Sequence, residues 1–493
     1  MKGTWRLFIS FLLIGSLCLS FWGCGGSVAR YNPGPSGTPT DLVVIETGDG
    51  NVTLGWSEAF NAAAYNVYYS TSPGVTKFTG TKFGTTTATN AIVTGLENDT
   101  QYYFVVTAVN SSGESGVSNE VSATPAVPGP IAQTDLTGIW RFNILVSGTT
   151  SGWMRGTLTV DDAGAVTINP FSDNAGGTTA PDYLFPTLRV NPTGQVRDAL
   201  SVDDTLFKGV LGGFQRKLIV GTLTTEAGSH LFIILQKHDP AVTFSASGDI
   251  AGFGKDAGGS RGFSYSQISS GSLEEWEFAV GQIGQKAPYE VQYSDFINPS
   301  GTQMPGSDPL SPDTKVSSMS ISSSGVVTEA RGTSDGIPAP TAYIAEGYMS
   351  DDKSLIVGVD TDSVSPGKYV MRIYGMVNII AYDANSFSLS DLAGSYSIES
   401  LIVGTTTMTA SGILSADGAT GAVAFDSYQD STGNTTPPDG FTLAITSDGI
   451  LSSVADATLH GKMAYNKDVV VCTKTETAGV YSLSVALKSY LEE

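Results

Sequence analysis

The sequence predicts an all-β protein, a β-sandwich followed by three repeated β-rich units built as small barrels or sandwiches. Three observations predict it. Charged residues make up only 15% of the 493 residues, too few to coat the exposed faces of a helical bundle. Gly (58) and Pro (22) punctuate the chain at short intervals, which is the chemistry of turns. Between the turns lie apolar runs of strand length, several alternating apolar with polar and several recurring at fixed spacing. The net charge of −22, from 25 basic and 47 acidic residues, has the wrong sign for neutralising phosphates, so no nucleic-acid partner is expected. With 41% hydrophobic and 10% aromatic residues, disorder along the whole length is excluded. The length predicts about three or four domains.

At the amino terminus, Lys2 and Arg6 precede an apolar run from Leu7 to Leu19 that is too short to span ~30 Å of hydrocarbon comfortably. Phe21-Trp22-Gly23-Cys24-Gly25-Gly26-Ser27 follows. An apolar segment ending in a small residue and then Cys resembles the lipobox of bacterial lipoproteins, although Phe21 stands where that family usually has Leu. The resemblance implies a signal peptide over residues 1–23, with Cys24 as the first mature residue and the site of lipid (palmitate) attachment. Several acyl chains on one Cys anchor a protein stably, since each buried methylene adds ~0.8 kcal/mol. An ordinary cleaved secretory signal is the alternative. Residues 24–36, rich in Gly, Pro and Ser, read as a flexible tether. The expected location is the bacterial cell envelope, with the membrane as a partner through the anchor. Of three cysteines only Cys472 remains in the mature body, so no intrachain disulfide holds it. Its context, Val469-Val470-Val471-Cys472, predicts a buried inert thiol rather than a nucleophile.

Residues 37–125 break into short β runs: Asp41–Val44, Asn51–Trp56, Ala63–Ser70, Asn90–Leu96, Gln101–Val109 and Glu120–Thr124. In one of them Tyr102, Phe104, Val106 and Ala108 alternate and would share a face. About seven strands in ~90 residues suggest a Greek-key sandwich. Leu96-Glu97-Asn98-Asp99-Thr100-Gln101-Tyr102 with its following strand resembles the E–F corner of fibronectin type III domains. Trp56 matches that family's core Trp, and Tyr102 its tyrosine corner, whose phenol bonds back to the backbone. No Arg-Gly-Asp triplet is present, so integrin-type adhesion is not implied. In bacteria the resemblance implies a spacer or binding module, often beside polysaccharide-degrading enzymes.

Residues 126–133, with Pro128-Gly129-Pro130, read as a linker, after which the chain repeats itself. The pattern apolar-x-apolar-x-x-x-Gly-x-apolar occurs at Leu188, Val190, Gly194 and Val196, at Met319, Ile321, Gly325 and Val327, and at Leu443, Ile445, Gly449 and Leu451. It reads as a strand, a tight turn with Gly at positive φ, and a returning strand. A continuous apolar run follows each: Leu218-Ile219-Val220, Leu355-Ile356-Val357 and Val469-Val470-Val471. Leu136-Thr137-Gly138-Ile139-Trp140 parallels Leu392-Ala393-Gly394-Ser395-Tyr396, and the interval from each opening to its Gly-turn pattern agrees to within one residue. The middle unit has no clean opening; Ile250-Ala251-Gly252-Phe253 is the weak candidate, and polar insertions over Asn298–Asp313 stretch it. These spacings predict units over 134–240, 241–385 and 390–491, either separate barrels or sandwiches or one shared sheet system. The Leu-x-Gly-x-Trp opening resembles the first strand of lipocalin-like barrels, in which Trp closes one end.

Catalytic chemistry is sparsely represented. His230, His238 and His460 are the only histidines and none has metal-ligand spacing to another His or a Cys. Gly332-Thr333-Ser334-Asp335-Gly336 matches Gly-x-Ser-x-Gly, but Ile337-Pro338-Ala339-Pro340 follows and forbids the helix a nucleophile elbow requires. Gly252-Phe253-Gly254-Lys255-Asp256-Ala257 lacks the βαβ context of a dinucleotide site. Asp161-Asp162, Asp203-Asp204, Asp351-Asp352 and Asp360-x-Asp362 read as solvated turn carboxylates rather than calcium loops. Glu274-Glu275-Trp276 places carboxylates beside an aromatic, which makes Trp276 a possible sugar-stacking residue, with no partner carboxylate evident; Trp140, Trp153 and Trp276 are equally candidates for the core.

No cofactor, metal or catalytic residue is therefore expected. The leading expectation is an exported, lipid-anchored, non-enzymatic binding, spacer or adhesion-type module facing a glycan or an envelope protein. The alternative is a lipocalin-like binder of a small apolar or glycan ligand; a polysaccharide-active enzyme with an accessory domain ranks third. An empty apolar cavity of ~300 Å³ or more inside a barrel separates the second reading from the first.

Overall fold

A computed structural model describes residues 36–57, 59–86, 89–126, 129–198, 207–213, 216–244, 260–272, 274–284, 290–297, 303–305, 317–331, 344–361, 367–376, 387–447, 449–464 and 467–489. Cys24, Asp203-Asp204, Ile250–Ala257, Gly332–Gly336, Asp362 and most of Asn298–Asp313 lie outside them. The described elements are β-strands and short 3-10 turns.

The amino-terminal region is a two-sheet sandwich. Thr40–Gly48, Asn51–Ser57 and Asn90–Thr94 form one sheet; Thr81–Thr86, Ala64–Ser70, Tyr102–Asn110 and Gly113–Val117 form the other, with Val121–Ala123 also paired to Tyr102–Asn110. Tyr102, Phe104, Val106 and Ala108 share the buried face, as their alternation predicts. Trp56 packs edge-on against Tyr65 with ring centroids 5.5 Å apart, and the Tyr102 phenol oxygen accepts from the Glu97 amide at 3.1 Å. Thr81–Thr86 and Gly113–Val117 are strands the sequence does not announce, because neither has a long apolar alternation: they lie on the rim of the sandwich.

The remaining strands form three antiparallel rings of eight. In the first, Gly138–Gly148, Gly152–Val160, Val166–Asp173, Arg189–Val190, Gln195–Arg197, Lys208–Gly212, Leu218–Thr224 and Ser229–His238 follow one another, and the last pairs with the first. Between the third and fourth strands the ring closes through the single bridge Ala165–Thr187. In the second, the order is Ser260–Gly271, Trp276–Gly284, Glu290–Ile297, Ser317–Ile321, Val326–Arg331, Ile344–Met349, Leu355–Thr361 and Lys368–Met376, with the short strand Gln303–Pro305 added to Glu290–Ile297. The third is a closed barrel of Gly394–Gly404, Met408–Ala416, Ala422–Asp430, Phe441–Ile445, Ile450–Ser453, His460–Met463, Val469–Thr477 and Val480–Lys488.

The sequence repeats mark equivalent positions in the three rings. Gly194, Gly325 and Gly449 all sit at φ between 80° and 83°, in hairpins with the same hydrogen bonds. A Cβ at any of them would also lie within 3.1 Å of a backbone oxygen or an aromatic ring, so both the turn and the space demand Gly. At the openings, Trp140 Nε1 donates to the Leu136 carbonyl at 2.7 Å and the Tyr396 hydroxyl to the Leu392 carbonyl at 3.1 Å. Lys237 lies over the Trp140 ring and Lys488 over the Tyr396 ring. Register places Phe263 at the matching position of the middle ring, paired with Met376 as Trp140 is with Lys237. The middle opening therefore falls ten residues beyond the Ile250–Phe253 segment that the sequence suggested.

The continuous apolar runs explain how the rings assemble. The central residue of each, Ile219, Ile356 or Val470, points into its own ring. The flanking residues, Leu218 and Val220, Leu355 and Val357, Val469 and Val471, point outward into a single core shared by all three. A strand buried on both faces cannot alternate, and so reads as an unbroken apolar run. The first two strands of each ring lie against the seventh and eighth of the next, and the third ring returns to the first. The result is a closed cycle of three barrels.

Candidate ligand-binding site

The third barrel is hollow. A cavity of about 400 Å³ runs from its mouth, at Ile402, Met408 and Val480, to a floor of Leu392, Tyr396 and Leu459. Its wall is built from the inward residues of the opening and closing strands. Ile398, Ser400 and Ile402 alternate on Gly394–Gly404, and Ser482, Ser484 and Ala486 alternate on Val480–Lys488. Leu414, Val423, Phe425 and Leu443 complete an apolar surface.

Several of the polar groups in the lining engage one another. The Ser400 and Ser484 hydroxyls meet across the strand pair at 2.7 Å. At the mouth Lys474 Nζ donates to Glu476 at 2.8 Å, and the Ser482 hydroxyl donates to the other oxygen of the same carboxylate at 2.7 Å. Cys472 lines the wall, and burial pushes its thiol up to about 12, so it stays protonated and inert, as the apolar run predicts. Burial, with Asp430 and Glu476 adding to it, also raises Tyr428. This lumen can enclose an apolar molecule; it presents no aligned nucleophile and base.

The other two lumens differ at the matching layer. In the first barrel Ile144 and Ile233 occupy the positions of Ser400 and Ser484, and Phe142, Phe171, Phe185 and Phe207 fill the interior with ring centroids 5.1–6.4 Å apart. An open cup of about 620 Å³, larger than the third barrel's lumen but outside the filled interior, lies at its mouth, floored by Val146, Met154 and Leu231. In the second barrel the layer is Gln267 and Arg372. Arg372 bonds Gln267, lies 3.8 Å from the fully buried Glu329 and stacks on Tyr265, while the Tyr374 hydroxyl donates to Glu329.

The residues singled out from sequence fall elsewhere. Trp276 is fully buried between the second and third barrels, its Nε1 donating to Thr475 at 2.9 Å and its ring 5.9 Å from that of His460. It offers no face on which a sugar could stack, which corrects that expectation. Glu275 is paired with Lys368, and burial raises the carboxyl of Glu274. His238 bridges Arg141 and Asp351 at 2.9 and 3.0 Å, His230 contacts Thr224, and burial lowers both His230 and His460. The side chain of Asp351 is not solvated but buried against His238, and Asp352, half-buried, accepts from Ser350 and Ser354. No group of three potential metal ligands occurs among the described residues. The lumen itself was missed. Its signal is the alternation Ser482-x-Ser484-x-Ala486 where the first barrel has Leu231-x-Ile233-x-Leu235.

Residues 37–124 match the fibronectin type III domain model. The amino-terminal sandwich is a fibronectin type III domain. A poly(3-hydroxybutyrate) depolymerase from Ralstonia pickettii is 36% identical over 108 residues, covering 22% of this chain and 20% of that protein. An amylopullulanase from Thermoanaerobacter thermohydrosulfuricus is 41% identical over 91 residues, covering 18% of this chain and 6% of that protein. The chain thus spans a fifth or less of these relatives' length. Among solved structures, a transferrin binding protein B mutant from Haemophilus parasuis Hp5 aligns over 92% of this chain and 100% of its own, at 11% identity and a TM-score of 0.23.

Proposed function

We propose that this protein is an exported, non-enzymatic binding protein whose third barrel encloses a small apolar molecule, with the fibronectin type III domain as its spacer. The observation that carries the reading is the cavity of about 400 Å³ with its apolar wall, within the ~300–1,000 Å³ range of small-molecule sites. Replacement of Ile, Met and Leu by Ser and Ala at inward positions, while the outward Leu401, Val471 and Val485 stay apolar, supports a lumen kept open within an intact barrel. This favours the lipocalin-like reading over that of a plain spacer. The three histidines occupied by packing and ion-pair contacts support a non-enzymatic role. The test is titration of the full mature chain with the apolar fluorophore N-phenylnaphthylamine. A saturable single-site enhancement is expected, lost in Ser484→Ile, which restores the first barrel's residue; fluorescence that never saturates, or that Ser484→Ile leaves unchanged, defeats the reading.

The same proposal places the protein at a membrane surface through acyl chains on Cys24, followed by the Gly- and Pro-rich tether. Cys24→Ser is expected to move it from the membrane fraction to the soluble fraction and to abolish palmitate labelling. Retention of both would remove the anchor.

A further inference from the structure

The cycle of barrels has three junctions built from equivalent positions, and tryptophan fills two of them. Trp153 lies across from Leu145 in the first barrel, and its Nε1 donates to Thr361 of the second at 2.9 Å. Trp276 lies across from Ile268 in the second barrel and donates to Thr475 of the third at the same distance. Beside these indoles the junctions are closed by a second matched pair. Arg155 faces Glu346 at 3.6 Å in the first junction, and Phe278 stacks on His460 with centroids 5.8 Å apart in the second.

At the third junction the register puts Thr409, across from Leu401, where the tryptophans stand, and Thr224 of the first barrel where Thr361 and Thr475 stand. Ser411 and Lys208 take the places of the second pair. Short side chains therefore replace an indole and its neighbour, and a cavity of about 340 Å³ remains, lined by these four residues together with Thr222 and Gln429.

We propose that this vacated third junction is a binding site for a small, neutral, polyhydroxylated molecule, a sugar of one or two residues. Hydroxyls, a carboxamide and an ammonium offer the donors and acceptors that sugar hydroxyls require, and the threonine methyl groups offer small apolar patches for the C–H faces of a sugar ring. An apolar guest would strand these groups unpaired. Glu226 and Asp430 at the rim offset Lys208, which disfavours an anion. Glu399 of the third barrel, buried behind Ser411, accepts from the Thr222 hydroxyl at 3.3 Å and ties the two walls together. The site lies on the opposite face of the Met408–Ala416 strand from the barrel lumen, with Ala410 and Ser411 in the wall between them, and is proposed independently of what occupies that lumen.

The test is saturation-transfer NMR on the full mature chain with cellobiose, maltose and chitobiose as probes. Transfer to at least one is expected, with affinity falling at least tenfold in Thr409→Trp, which supplies the third indole. Lys208→Met, which keeps the length of the side chain and removes its ammonium, is expected to give the same loss. Ser484→Ile is expected to leave the sugar signal unchanged while abolishing N-phenylnaphthylamine binding, so the two sites fail independently. No transfer to any probe, an unchanged affinity in Lys208→Met, or loss of the sugar signal in Ser484→Ile overturns the proposal.

Discussion

At matched inward positions the first barrel carries Ile144, Met154, Ile233 and Leu235, and the third carries Ser400, Ala410, Ser484 and Ala486. At matched outward positions the two agree: Leu145 with Leu401, Val220 with Val471, Ile234 with Val485. One barrel is packed with aromatic rings and the other encloses a cavity, yet strand order and register are shared. The difference teaches where each barrel's stability resides. The first is held from inside and outside. The third keeps an inner cluster around Leu392, Tyr396, Leu451 and Met463 but leaves a cavity beside it, so it leans more on the common outer core.

Truncation at one matched position probes this most strongly. Phe142→Ala in the first barrel is expected to cost about 3–5 kcal/mol, the usual range for a fully buried Phe. Ile398→Ala, its counterpart on the wall of an existing cavity, is expected to cost about 1–2 kcal/mol, since fewer contacts are lost. Urea denaturation of both variants measures the gap; equal costs would mean that the third lumen is as tightly packed as the first.

A smaller effect of opposite sign follows from filling the hollow barrel. Ser484→Ile with Ala486→Leu reproduces the first barrel's closing strand and is expected to raise stability by about 0.5–2 kcal/mol, as cavity filling commonly does. A fall in melting temperature would show instead that the lumen has no room for these side chains.

The subtlest difference is electrostatic. Asn143 of the first barrel donates to the Val357 carbonyl, whereas the matched Glu399 is buried and its carboxyl is raised well above the usual range by desolvation, with Arg197, Thr222 and Lys208 only partly opposing. In the unfolded chain a Glu ionises near pH ~4.3. Folding thus keeps a proton that the unfolded chain releases, and Glu399 favours folding fully below that pH and progressively less as pH rises toward its folded value. Glu399→Gln is expected to flatten this decline between pH 4 and 7 in urea midpoints, with the wild type and variant converging at pH 4. An identical slope in both proteins would show that another group carries the pH dependence.

Much of the architecture was legible in the chain. Gly194, Gly325 and Gly449 identify three equivalent hairpins because a left-handed turn with a backbone or ring overhead admits no other residue. The fibronectin type III domain was legible at Trp56 and Tyr102 because corner and core chemistry is local. The candidate site was less so. Trp276, beside two carboxylates, reads equally as a sugar-stacking or a core residue, and nothing in its neighbourhood announces that His460 and Thr475 cover it. The period of a strand tells which side a residue takes and never what lies there. For the same reason the runs Leu218-Ile219-Val220 and Val469-Val470-Val471 revealed double burial without naming the second partner.

By itself, then, the chain determined its β class, its three-fold repeat and the turns that space the strands, because these follow from backbone preference and side-chain periodicity over a few residues. Only the tertiary structure decided that each repeat closes on itself, that the three share one outer core, and that one lumen and one junction stay open. A cavity depends on which residues from strands far apart in sequence meet at one level. Ser400 and Ser484, 2.7 Å apart and at opposite ends of their barrel's sequence, become neighbours only when the ring closes.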